Sequence, residues 1–154
     1  MGETDMNAVS QARERWLSVL ARTPAAVLAD HVDLPAPAGT RWVRPAVAGM
    51  VMSEGRAGGS GGRFSLGQVA VTRATAERGG RLGIGYIMGH DPERAERMAL
   101  ADLALQEAPE ALMAALVEPE ARRQADVRAT RAKKAAATRV EFFTIARQSS
   151  ARST

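Results

Sequence analysis

A chain of 154 residues, 45% hydrophobic and 25% charged, can bury a real core, and this balance excludes a disordered or fibrous protein. With no cysteine, disulfides, thiolate nucleophiles, iron–sulfur ligation and cysteine-based zinc sites are excluded together. The net charge of +4 rests on 21 basic residues, all arginine except Lys133 and Lys134, which points either to an anionic partner or to a codon bias toward arginine.

The predicted elements begin with an amphipathic helix over residues 7–22, where Ala12, Trp16, Leu17 and Leu20 recur at helical spacing beside Arg13, Glu14 and Arg15. Thr23-Pro24 reads as a cap followed by a first-turn proline, opening a short second helix through Val27, Leu28 and Val32. The proline-rich stretch 34–39 ends it. From residue 40 to 89 glycine and β-branched residues dominate, and four strands are expected at 41–47, 49–55, 63–77 and 81–88. Gly79-Gly80 supplies a two-residue turn, so the last two strands should be antiparallel. Phe64 and Leu66 share one parity and Val69 and Val71 the other, which calls for a bulge at Gly67. Leu82, Ile84, Tyr86 and Met88 share one face of the last strand, while Gly83 and Gly85 leave the other bare for close approach by a helix or a partner.

Asp91-Pro92 is a second cap-then-proline start, and Ala95, Met98, Ala99, Leu103 and Leu105 carry a helix to about residue 106. Pro109 and Pro119 each restart a helix, the last running over 119–147 with a narrow apolar stripe of Ala129, Ala132, Ala136, Val140 and Phe143. Residues 93–118 are acidic and 121–147 basic, so the two regions either pair within the chain or face different proteins. The expected fold class is α+β: N-terminal helices, an antiparallel sheet of about four strands, and C-terminal helices including one long basic helix. One domain is expected over 1–154, ordered from about 7 to 147 and frayed at 1–6 and 148–154. No secretory leader and no run of about 18 apolar residues is present, which makes the cytoplasm the expected location and excludes a membrane role.

Chemistry-bearing patterns are sparse. The segment from Gly55 through Arg56, Gly58, Gly59, Ser60 and Gly61 to Arg63 could cradle an anion, but it lacks the Gly-Lys-Ser/Thr ending and joins two strands, so a flexible loop is the plainer reading. His31 and His90 are too few for a metal signature, and His90 reads as a polar residue at a helix start. No nucleophile elbow or Ser-x-x-Lys pattern occurs, and acids such as Glu93, Glu96 and Asp102 read as a solvated helix face. No catalytic or metal-binding residue is therefore expected. The basic last helix leaves open a nucleic-acid-binding module, and the glycine loop an independent nucleotide-binding enzyme, although aromatic platforms are scarce at 4%.

Several segments taken together resemble one family. These are 15–21 (Arg-Trp-Leu-Ser-Val-Leu-Ala), 56–61 leading to Phe64, Gly67 and Val71-Thr72-Arg73, 85–91 (Gly-Tyr-Ile-Met-Gly-His-Asp), Ala99-Leu100-Ala101-Asp102, and Thr138-Arg139-Val140-Glu141-Phe142-Phe143-Thr144. The chain is similar over about residues 15–147 to the G-subunit family (PhnG) of the bacterial carbon-phosphorus lyase system. Departures include Ser60 where threonine is frequent and His90 where arginine is usual. The resemblance implies a cytoplasmic core complex with H, I and J subunits. It also implies a role in forming α-D-ribose 1-methylphosphonate 5-triphosphate from ATP and methylphosphonate with release of adenine, chemistry attributed to the I subunit. No cofactor is then expected on this chain, ATP being used by the complex, and no nucleic acid is expected as a partner. The residues expected to bind or dock are Arg56, Gly58, Gly59, Ser60, Gly61, Arg63, Phe64 and Arg73.

Overall fold

A computed structural model of the chain describes residues 3–56 and 59–137. The order is α1 (Glu3–Leu20), α2 (Ala25–His31), β1 (Arg41–Arg56), β2 (Arg63–Arg78), β3 (Arg81–Met88), α3 (Pro92–Glu107), α4 (Pro109–Leu112), a π-helical turn (Met113–Val117) and α5 (Glu118–Ala137). The α+β class is as expected, but the sheet has three strands in the order β1-β2-β3, both pairs antiparallel. The two strands expected at 41–47 and 49–55 are one. Pairing with β2 runs from Arg41 opposite Glu77 to Arg56 opposite Arg63 and is continuous through Val47, Ala48 and Gly49, while register shifts lie on either side of Arg44, next to Pro45. A proline and bulges are tolerated there because β1 lies at the sheet edge.

Local signals in the sheet hold closely. Gly79 and Gly80 take φ of 57° and 77°, the left-handed values a two-residue hairpin needs, between the paired Arg78 and Arg81. Ser53 pairs with Gly67 and Glu54 with Ser65, leaving Leu66 as the extra residue of a bulge at Gly67, whose φ is 126°.

Helix α3 lies across the inner face of β2 and β3. A Cβ at Gly83 would stand 2.1 Å from the Ala99 carbonyl oxygen, and one at Gly85 1.9 Å from that of Ala95. The bare strand positions are therefore the condition for helix and sheet to touch. Ala74 and Ala76 of β2, Ile87 of β3, and Ala95, Met98, Ala99 and Leu103 of α3 fill this layer, and Trp16, Leu20, Leu28, Leu116 and Val117 pack on its far side. Asp91 caps α3 by accepting from the Arg94 amide at 3.0 Å.

Three expectations change. Thr23 does not cap α2: it is fully buried, its hydroxyl donates to the Val19 carbonyl at 3.0 Å, and Pro24 occupies the cap position. Pro119 does not restart a helix, because the turn before it is π-helical and the Glu118 amide reaches five residues back to the Met113 carbonyl. That shift lets the ladder pass a residue with no N–H of its own. Asp102 is not on a solvated face. It is fully buried, bound by Arg13 at 2.7 and 3.2 Å, by the Trp16 indole N–H at 2.9 Å and by the Ile84 amide at 3.0 Å. The last helix is described to Ala137, so Val140, Phe143 and the 138–144 motif lie outside the described residues.

Three of the six acids of 93–118 are paired outside the basic helix. Glu93 pairs with Arg97, Asp102 with Arg13 and Glu107 with Arg78, while Arg123 of α5 pairs with Glu120 one turn away.

Candidate docking face

Alternation along the strands sorts side chains to two faces, and opposite residues in the ladder share a face. The inner face meets α3. On the outer face the rows read Val47–Arg73–Tyr86, Gly49–Val71–Met88, Arg44–Thr75–Ile84 and Arg41–Glu77–Leu82. Val47, Leu82, Ile84, Tyr86 and Met88 are all exposed large hydrophobics, Met88 at 70%. Among the described residues no helix covers this face, and Arg73 stands at its centre between a valine and a tyrosine.

Beyond Val71 strand β3 has ended, the Gly89 amide still donates to the Ala70 carbonyl, and residues 51–56 and 63–69 pair only with each other. At about 3.3 Å per residue this ribbon overhangs the body by roughly 25 Å. Met52, Phe64 and Leu66 are exposed on it, and Phe64 lies opposite Gly55.

The residues singled out from sequence fall in two places. Arg56 and Arg63 face each other in the last pair of the ribbon, Phe64 follows, and Gly59, Ser60 and Gly61 form the connecting loop, Gly59 with a φ of 84°. Gly58 lies outside the described residues. Arg63 reaches Glu54 at 3.8 Å, with both side chains more than half exposed, a contact worth little in water. Arg73 is on the same strand but nine residues from Phe64, about 25–30 Å along β2, so the loop and Arg73 do not form one pocket. Among the described residues no group of three or more His, Cys, Asp and Glu could hold a metal ion, and no helix is long and apolar enough to cross a membrane. His90 is exposed in the bend before the α3 cap, as expected. Sequence reasoning noticed the shared parity of Leu82, Ile84, Tyr86 and Met88 and the bare glycine face open to a helix or a partner, and α3 is what occupies that face.

The model of the family described as "Phosphonate metabolism protein PhnG" matches residues 11–148. The chain belongs to this family. A PhnG relative from Rhizobium meliloti (strain 1021), 40% identical over 107 residues, is named "Alpha-D-ribose 1-methylphosphonate 5-triphosphate synthase subunit PhnG". The match covers 68% of this chain and 69% of the relative. The PhnG match thus takes in both strands of the overhanging ribbon, the outer sheet face and the Asp102 cluster.

Proposed function

We propose that this chain is an accessory, non-catalytic subunit of an α-D-ribose 1-methylphosphonate 5-triphosphate synthase in the breakdown of organic phosphonates. It is required for forming that product from ATP and methylphosphonate with release of adenine. It holds no cofactor itself, ATP being used by the complex, and it works in the cytoplasm with the H, I and J subunits of the carbon-phosphorus lyase core complex. Membrane and nucleic acid are not its partners. The observation that carries the reading is the uncovered outer sheet face continuing into the overhanging ribbon. A two-stranded ribbon alone in water is marginally stable, and a contiguous apolar face marks a contact surface. The name of the Rhizobium meliloti relative, a subunit, supports a different polypeptide as the occupant.

The contact has a definite chemistry. Tyrosine and arginine are the residues that most often anchor interfaces, and Tyr86 and Arg73 are ladder neighbours. The matching surface is apolar with a carboxylate opposite Arg73. Phe64, opposite Gly55, carries the outer face to the far end of the ribbon, where the Arg56–Arg63 pair falls on the other side; with Gly58, Gly59, Ser60 and Gly61 these residues dock and do not react. Co-expression of the tagged chain with the H, I and J subunits of its own genome is the test, read by size exclusion and by adenine release from ATP and methylphosphonate. A stoichiometric complex whose adenine release requires this chain is expected; a chain that elutes alone beside soluble partners overturns the proposal.

A further inference from the structure

Away from the sheet, Arg22 at the end of α1 and Arg123, Gln124, Val127, Arg128 and Arg131 of α5 line a groove of about 430 Å³. Another groove, formed by Val9, Ala12, Trp16, Leu105 and Pro109 with a few polar neighbours, is walled mainly by apolar side chains. In the basic groove four guanidinium groups face one carboxylate, that of Glu120.

Two of the four are already fixed. Arg22 donates to the Ser18 carbonyl at 2.7 Å and hydroxyl at 2.8 Å, and Arg123 grips both oxygens of Glu120 at 2.8 and 2.9 Å. Gln124 is buried and tied to the Val19 carbonyl at 3.0 Å, so the floor joins α5 to the end of α1. Arg128 and Arg131, one helical turn apart, make no ion pair among the described residues. Within the chain the groove thus has an excess of three positive charges, while Asp102, Glu107 and Glu93 of α3 are engaged by Arg13, Arg78 and Arg97.

We infer that this groove binds a polyphosphate group of a small molecule. Guanidinium forks match phosphate oxygens in pairs, a concave wall of one sign concentrates the field, and the volume lies in the range of small-ligand sites. A flat acidic protein surface would meet the exposed guanidinium groups from outside without filling the concavity, and a duplex would track the whole exposed length of α5.

Calorimetric titration of tripolyphosphate into the full chain is the test, at low salt and at physiological salt, with inorganic phosphate and a DNA duplex as comparison ligands. Saturable one-site binding of tripolyphosphate that persists at physiological salt is expected, with inorganic phosphate much weaker. The Arg128→Ala/Arg131→Ala variant should weaken it roughly tenfold or more. Arg15→Ala/Arg81→Ala, an equal charge change away from the groove and the docking face, should leave it unaltered. Equal loss in both double variants, tighter binding of the duplex than of tripolyphosphate, or no saturation overturns the site. Because these are measurements on the chain alone, they stand apart from complex formation and can fail while the docking face holds.

Discussion

Asp102 decides how α1, α3 and β3 meet. A carboxylate with no exposed surface is tolerable only because two Arg13 nitrogens, an indole N–H and a backbone amide satisfy it. Asp102→Ala strands Arg13 and the Ile84 amide together, and breaking such a pair costs about 3 kcal/mol. Urea unfolding should show the midpoint falling accordingly; an unchanged midpoint would mean the pair is replaceable by packing. Two other carboxyls give the acid side of the stability profile. The Arg78 hydrogen bond, then its charge and that of Arg81, hold Glu107 below its ordinary value of 4.5. The Arg123 hydrogen bond does the same for Glu120. A depressed carboxylate stabilises the fold above the unfolded value and loses that contribution as pH falls through the folded one. The thermal midpoint should therefore decline below pH 4.5, and Glu107→Gln should flatten that decline while leaving the midpoint lower at pH 7.

Between elements, the seating of α3 on β3 depends on two missing side chains. Gly85→Ala would place a methyl 1.9 Å from the Ala95 carbonyl oxygen, backbone that cannot swing aside. Lifting the helix also draws Asp102 from the Ile84 amide, so a loss at the upper end of the usual overpacking cost, about 3 kcal/mol, is expected from chemical denaturation. This seating was legible in sequence because glycines alternating with Leu82, Ile84 and Tyr86 form a local pattern. The Gly79-Gly80 turn, the bulge at Gly67 and the Asp91 cap were legible for the same reason: each is written within a few residues. What failed depended on distant partners. Asp102 lies between Ala99 and Leu103 on the apolar stripe of α3, a position that hints at burial, but its ligands are 18 and more residues away. The break expected between Val47 and Gly49 failed in the same way, since the pairing with β2 that spans it is invisible locally. Of the docking residues the loop and its arginines were placed correctly at a strand connection, whereas the central position of Arg73 needed the register.

At the scale of the whole molecule, one side is finished and the other open. The α3 side is packed by helices, and the outer sheet face with its overhanging ribbon offers Val47, Tyr86, Met88, Phe64 and Leu66 to solvent. Arg73→Glu and Tyr86→Ala leave the inner layer untouched, so both should fold with native circular dichroism. Each should nevertheless weaken assembly with the partner subunits by roughly tenfold or more, the size expected for truncating an interface anchor. Co-purification yield against an Arg15→Glu control on α1 checks this, and equal yields would remove the outer face from the interface. The same openness carries a hazard that the Asp102 cluster limits. Strand β3 is a sheet edge, and an unprotected edge recruits further strands into aggregates. Here the Leu82 carbonyl is taken by Arg13 at 2.7 Å and Gln106 at 2.9 Å, and the Ile84 amide by Asp102. A newly made chain that has not yet met its partners thus exposes an apolar face but has the start of its adjoining edge plugged by side chains, so greasy contacts with other copies are denied the backbone ladder that would turn them into fibrils.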